Sequence, residues 1–232
     1  LPVTDIQAKH APAVRANRLQ IAGRWGQPCL GYVLLYRPDA TASAEFAALQ
    51  QEVLGCEPTL LRQPEPQLHC SVAWPLAVGR DFDQPKDEIW QQHGEDWLKI
   101  IAAVTDTAGP MRLRYQRLVM TDAAIIAVAE EPNPVGELRR DIVAALGLSW
   151  EICYGSVGVV HTTLLRYSQP VADAAGLLRR LAAIRVSIET QVSELLMVRE
   201  FRYPTLEYEI LRRLPLGTGS LRPGPPPRAG RP

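Results

Sequence analysis

The sequence predicts an α+β fold built as two similar lobes, and three observations carry that expectation. Strand-like and helix-like segments alternate along most of the chain. The order strand, helix, strand, helix, strand, strand is followed by helix, strand, helix, strand, strand, so the second series nearly copies the first. One strand in each series carries the same short pattern: Leu68-His69-Cys70-Ser71-Val72 and Val160-His161-Thr162-Thr163-Leu164. Each reads His, any residue, Ser or Thr, then an aliphatic.

The elements follow in order. Residues 1–28 form an N-terminal extension with a helix expected around Ile6–Leu19. Cys29–Tyr36 is a dense apolar and aromatic run stopped by Arg37-Pro38, which reads as a strand. Ala40–Leu54 is a helix with Phe46, Leu49, Val53 and Leu54 on one side and Gly55 as its stop. Gln67–Trp74 is the first histidine strand, closed by Pro75. After the polar loop Asp81–Lys86, Asp87 is expected to cap a helix running to about Thr105. Ile89, Trp90, Trp97, Ile100 and Ile101 give that helix its apolar stripe. Gly109-Pro110 breaks it.

Arg112–Met120 and Ala123–Ala129 read as a hairpin around Thr121-Asp122. Asn133 or Asn133-Pro134 opens a helix through Leu146, ended by Gly147. Val157–Leu165 is the second histidine strand, with Gly155-Ser156-Val157-Gly158 as its lead-in. Ala172–Ile184 is a helix, and Val192–Arg199 and Leu206–Leu214 are strands joined across Tyr203-Pro204. Residues 29–214 are thus read as a single bilobal domain. The Gly-, Pro- and Arg-rich residues 215–232 lack apolar periodicity and are expected to be a disordered tail.

A length of 232 residues, 47% of them hydrophobic and 22% charged, suits a soluble chain with a sizeable core. Lysine and arginine together number 25 and so do the acids, giving a formal charge of zero. No global basic field therefore attracts long nucleic acid, whereas a short nucleotide needs only one pocket with a few arginines. Cys29, Cys56, Cys70 and Cys153 are scattered, which favours small buried hydrophobes in a reducing compartment over disulfides or metal ligands. No apolar run approaches the ~20 residues of a membrane span, and no basic-then-apolar signal opens the chain. A cytoplasmic protein is expected; because the chain starts at Leu1, a processed or truncated start stays open.

Successive side chains of a strand point to opposite faces, so a residue shares its face with its second neighbour. His69 therefore projects with Ser71, and His161 with Thr163, while Leu68, Cys70 and Val72 fall on the reverse and can be buried. A titratable ring beside a hydroxyl, presented twice, suits phosphate-ester chemistry. Other constellations are weaker. A Cys70–His69 dyad needs adjacent strand residues to meet, which they do not. His10 and His93 lack ligand spacing and are expected on the solvated surface. Asp81-x-Asp83 has Lys86 where a calcium loop needs Gly, and the 155–158 segment fits neither a nucleophile elbow nor a P-loop. Tyr36, Trp74, Tyr167 and Tyr203 lie near strand ends and could stack on a base, but ordinary packing explains each equally well. Arg199 and Arg202 are expected to be solvated.

The tetrapeptides His69-Cys-Ser-Val and His161-Thr-Thr-Leu, with the element order, resemble the two-histidine (2H) phosphoesterase superfamily. That superfamily includes RNA 2′,3′-cyclic phosphodiesterases related to the bacterial 2′-5′ RNA ligase. The resemblance covers roughly residues 29–214, and Glu194-Leu-Leu-Met-Val-Arg-Glu followed by Tyr208-Glu-Ile-Leu looks like the terminal strand pair of that fold. It implies a bilobal pseudo-twofold architecture, two mainly antiparallel sheets with outer helices around a central cleft and intertwined lobes. It also implies His69 and His161 as catalytic acid and base, and Ser71 and Thr163 as substrate-binding hydroxyls. Neither a metal nor a cofactor is implied, and the partner is a nucleotide or RNA with a cyclic phosphate end. Two positions depart from the family pattern. Ser71 replaces the more usual Thr and keeps the hydroxyl. Thr162 stands where an apolar residue is commoner, which predicts looser packing behind the second strand.

The expected activity is metal-independent hydrolysis of a 2′,3′-cyclic phosphate, with RNA 2′-5′ ligation as the reverse chemistry. A related reading is cleavage of a cyclic dinucleotide or a 2′-5′-linked oligonucleotide. A non-catalytic nucleotide-binding module and an α+β scaffold with incidental histidines are the alternatives from other classes. Binding alone does not need a proton donor and acceptor together, so two intact His–hydroxyl pairs favour catalysis.

Overall fold

The computed structural model describes residues 3–148 and 159–217. The anticipated strand lead-in at 155–158 and the tail from 218 onward lie outside the described residues. The elements are α1 (Val3–Arg15), β1 (Pro28–Tyr36), α2 (Ala40–Cys56), β2 (Leu60–Arg62), a 3-10 turn (Glu65–Gln67), β3 (Cys70–Leu76) and α3 (Lys86–Thr107). Then follow β4 (Met111–Met120), β5 (Ala124–Ala129), α4 (Pro134–Ala145), β6 (His161–Tyr167), α5 (Ala174–Ala183), β7 (Ile188–Val192), β8 (Glu194–Arg202) and β9 (Glu207–Pro215). The strands form two sheets, ordered β3-β1-β8-β9 and β2-β6-β5-β4-β7. Every pairing is antiparallel, which bears out the expected α+β class. The first sheet takes strands from both ends of the described chain. Most of the second comes from its middle.

Helix ends follow local chemistry. The Asp39 carboxylate accepts the Ala42 N–H at 3.0 Å and starts α2. Asn133 does the same for α4 through the Gly136 N–H at 2.8 Å, as expected for these N-cap types. Two boundaries need correction. Gly55 does not stop α2, which runs one residue further and ends as the Glu57 N–H returns to the Val53 carbonyl. Asp87 does not cap α3 either; Pro85 holds that position and Asp87 sits in the first turn. There its carboxylate favours the positive helix end, accepts the Tyr32 hydroxyl at 2.5 Å and pairs with Arg199.

β2 is a short strand that the sequence did not announce, and the strands differ from expectation in two further places. Pro75 does not close β3, because β3 is an edge strand with a register shift there, where a missing N–H is tolerated. The strand expected from Val192 begins at Glu194 as β8, and Val192 instead ends a separate strand, β7, on the other side of Ser193. Ile188, Thr190 and Val192 alternate inward along β7, a short period-2 signal that the strand expected from Val192 does not include. A continuous core runs between the sheets and the helices, and it includes Val14 of α1 and Leu216 just beyond β9.

Register slips by one residue at the same point in both histidine strands. Leu34 pairs with Ala73 and Leu35 with Ser71, so Val72 is the extra residue. Ile125 pairs with Leu165 and Ile126 with Thr163, so Leu164 is its counterpart. Such a bulge sets two residues against one and reverses the alternation beyond it. Val72 with Ala73, and Leu164 with Leu165, are accordingly consecutive buried pairs. Beyond them Trp74 and Arg166 come round to the face of His69 and His161.

A bulge inside a core leaves ladder carbonyls to be satisfied by other means. Arg139 of α4, only 2% exposed, donates from Nη2 to the Ser71 carbonyl at 2.7 Å and from Nε to that of Val72 at 3.1 Å. Gln50 of α2, wholly buried, donates to the carbonyls of Leu164 and Gln63, each at 2.8 Å. Gln50→Leu strips both carbonyls of that donor and should lower stability by about 1–3 kcal/mol, read from urea unfolding. An unchanged midpoint would mean that the bulge does not depend on this side chain.

Candidate active site

A cavity of about 330 Å³ opens between the two histidine strands. His69, Ser71 and Trp74 line it from the first sheet, and His161, Thr163 and Arg166 from β6 of the second. Glu200 of β8, the Tyr203–Thr205 turn and the loop 77–80 complete the wall. All four side chains singled out in the sequence thus face one space. Leu68, Cys70 and Val72 are buried on the reverse, as alternation requires.

The imidazoles are held in matching ways. His69 Nδ1 lies 2.8 Å from the Gln67 carbonyl, and His161 Nδ1 lies 3.1 Å from the Val159 carbonyl. Each partner is the backbone oxygen two residues upstream. A carbonyl only accepts, so each Nδ1 carries its hydrogen and each Nε2 is the atom that gains or loses a proton. Burial, opposed only in part by these bonds, pushes both rings below the ordinary imidazole range. For His69 the guanidinium groups of Arg166 and Arg37 add to the effect. His161 falls to about 4, with Arg139, Arg166 and His69 itself as further contributors.

Behind the strands runs a buried polar seam. The Tyr36 and Tyr115 hydroxyls are 2.6 Å apart, and that of Tyr115 is 3.0 Å from Thr162 Oγ1. Thr162 therefore does not loosen the packing, as its departure from an apolar type suggested; it is fully buried and ends a hydroxyl chain that crosses from one sheet to the other. The Cys70 sulfur adjoins the backbone amide of His161 in the same seam, and burial raises its thiol, which keeps it protonated.

Several residues take places the sequence did not assign. Arg166 belongs to neither motif, although consecutive apolar pairs at the same offset in both motifs are the visible trace of the bulge that turns it inward. Its guanidinium lies 5.6 Å over the Tyr203 ring, and its buried Nε has no partner among the described residues. Glu200, 3% exposed, accepts the Thr205 N–H at 2.6 Å, and Gln63 donates to the Pro204 carbonyl at 3.1 Å. Together they fix the turn over the cavity. Of the four aromatics near strand ends, Trp74 and Tyr203 line the cavity, whereas Tyr36 and Tyr167 are wholly buried.

Other sequence expectations need correction. His10 is not solvated: its side chain is 12% exposed, and Nδ1 lies 2.9 Å from the Asp122 carboxylate. His93 is exposed and stacks on Trp97. Arg199 and Arg202 are half-buried and committed, the first to Asp87, the second to Glu207 at 2.9 Å and to the Gly26 carbonyl at 2.6 Å. Cys29 and Cys56 are half-buried, and Cys153 lies outside the described residues. Among the described residues no three His, Cys, Asp or Glu side chains cluster as metal ligands, and no helix is long and apolar enough to cross a membrane.

No family model and no curated protein matches the chain. Solved structures do. TT0787 of Thermus thermophilus aligns with a TM-score of 0.60 at 17% identity, over 82% of this chain and 99% of that one. E. coli LigT, solved with 3′-AMP, gives 0.57 at 12% identity over 82% and 99%. The chain has the fold of the two-histidine phosphoesterases. ATU0111 of Agrobacterium tumefaciens, a conserved protein of unknown function, shares this 2H fold with a TM-score of 0.56 at 13% identity over 86% and 96%.

The downward shifts have a definite sign. Both rings prefer to be neutral when folded, so the unfolded chain takes up these protons first. Their contribution to stability is full above about pH 6.5 and is lost as pH falls toward 4. Imidazole nitrogen spectra at pH 7 should show both rings neutral with hydrogen on Nδ1, and His161 should titrate near 4. A ring titrating at or above the ordinary value, or hydrogen on Nε2, would contradict this arrangement.

Proposed function

We propose that the chain is a phosphodiesterase that opens a 2′,3′-cyclic phosphate, on an RNA end or a nucleotide, by two-histidine acid–base catalysis without a metal ion. The observation that supports it most is the matched pair of imidazoles, each with Nδ1 tied to the carbonyl two residues upstream and both lining one cavity. One neutral ring takes a proton at Nε2 from water as the water oxygen bonds to phosphorus. The other, protonated, gives its Nε2 proton to the ribose oxygen as the P–O bond to that oxygen breaks. The product is a ribose monophosphate, and the two rings have exchanged protonation states. The solved complexes of LigT with 3′-AMP and with phosphate fit a ligand of this chemistry.

Ser71, Thr163 and Arg166 would hold the non-bridging oxygens and oppose the charge that builds on them in the transition state. Trp74, at the position equivalent to Arg166, offers a ring face to the nucleoside. The cationic and buried setting that keeps both rings neutral in the free protein is reversed by the phosphate anion, which favours one proton on the pair. Binding and protonation are therefore linked.

His69→Ala and His161→Ala should each lower turnover of a 2′,3′-cyclic nucleotide by about 10²–10⁴-fold, with activity unaffected by a chelator. Ser71→Ala and Thr163→Ala should cost less, since they remove only phosphate contacts. Retained turnover in either histidine variant would end the mechanism. Because both free-protein pKa values lie below the ordinary one, the singly protonated pair is an acidic species. The bell in kcat/KM should peak below about pH 6.5 and fall through neutrality. A plateau that persists to about pH 8 would show that this pair does not carry the proton transfers.

A further inference from the structure

Residues 18–27 strap the second sheet to the first. The Gln20 N–H donates to the Asp122 carbonyl at 2.7 Å and that of Ala22 to Tyr167 at 2.8 Å. At the other end the Gly26 N–H donates to the Tyr203 carbonyl at 2.7 Å, and the Tyr203 N–H to Gln27 at 3.0 Å. Gly26 adopts a φ of 70°, a left-handed conformation that suits glycine at this turn. Against the strap lies a second cleft of about 310 Å³, lined by residues 20–24, Ala123, Arg166 and Tyr203. Arg166 and Tyr203 also line the histidine cavity, so these two side chains are the wall between the spaces.

That wall is cationic on both sides. The guanidinium of Arg24 lies 5.4 Å from the centroid of the Tyr203 ring and that of Arg166 lies 5.6 Å from it. Stacking on an aromatic ring orients a guanidinium and leaves its N–H fork for an anion. Among the described residues neither arginine forms a carboxylate ion pair, and Arg166 Nε is buried without a partner. Ile21, 42% exposed, and the small residues Ala22, Gly23 and Ala123 give the cleft an apolar floor beside Arg24.

We infer that this cleft is a second phosphate subsite, which takes the phosphodiester on the 5′ side of the terminal nucleoside. The preferred substrate is then a strand of two or more nucleotides ending in a cyclic phosphate, not the free cyclic nucleotide. The inference rests on the phosphodiesterase reading: Arg166 faces the scissile phosphate, Arg24 the next one, and the Tyr203 ring sets their spacing. A basic groove with an apolar floor is the recurrent means of holding a single strand without reading its sequence.

The test compares adenosine 2′,3′-cyclic phosphate with the dinucleotide ApA ending in a 2′,3′-cyclic phosphate, using the wild-type chain, Arg24→Gln and Arg24→Lys. The wild type should favour the dinucleotide by about tenfold or more in kcat/KM. Arg24→Gln should shrink that preference about five- to tenfold through the KM for the dinucleotide, and Arg24→Lys should restore most of it. The salt dependence of dinucleotide kcat/KM should become shallower in Arg24→Gln by about 0.7 in the log–log slope, the worth of one phosphate contact to a single strand. Equal preference in wild type and Arg24→Gln, or an unchanged slope, would overturn the subsite. Calorimetric binding of ApA 3′-phosphate against 3′-AMP needs no turnover and separates the two claims. Tighter binding of the dinucleotide that Arg24→Gln abolishes sustains the subsite even if neither cyclic substrate is opened; equal binding removes the subsite even if both are.

Discussion

Val72 and Leu164 are extra residues in strands that the core encloses, and buried side chains bond the carbonyls beside them, that of Leu164 together with the Gln63 N–H. Arg139 answers for the first strand and Gln50 for the second, each from a helix and each buried. The cavity depends on that arrangement. Without the bulges, strict alternation would aim Ala73 and Leu165 at the cavity and turn Trp74 and Arg166 into the core. With them, each strand presents ring, hydroxyl and one large side chain on a single face. A buried guanidinium is costly unless fully bonded, so its place behind the bulge ties the helix packing of the first sheet to the shape of the site.

The seam of Tyr36, Tyr115 and Thr162 does for the two sheets what the bulges do for each strand. It joins a residue of β1 to residues of β4 and β6 through hydroxyl contacts in a dry interior. Such contacts are directional, whereas apolar packing alone would let the sheets slide. The Cys70 sulfur against the His161 amide adds a link between the two motifs themselves. In this setting the half-buried imidazoles are held below their ordinary range, and nearby arginines create a local positive field in a chain of zero formal charge. Low polarity magnifies both effects, so an anionic ester entering the cavity changes the proton balance of the pair more than it would in water.

Much of this was legible in the sequence. His69, Ser71, His161 and Thr163 could be placed on one face by alternation alone, and the helices that begin at Asp39 and Asn133 announce their caps. The element order pointed to the α+β class. The rest was hidden for identifiable reasons. Gln50 sits on a helix face where a polar residue reads as solvent-exposed, and its burial is explained by partners from other elements, the carbonyls of Gln63 and Leu164 and the Arg62 guanidinium. Arg166 falls on the wrong face if period 2 is continued past Thr163. Asp87 looks like a cap, yet its partners Tyr32 and Arg199 are distant in sequence. His10 lacked any visible partner because Asp122 belongs to a turn more than a hundred residues away.

The central claim is that two imidazoles from separate sheets act on one phosphorus atom. Its most direct test is to titrate histidine-labelled protein with inorganic phosphate and follow the Nε2 resonances of His69 and His161. Both should move together and follow one shared dissociation constant. Movement of a single ring, or two independent binding curves, would contradict it.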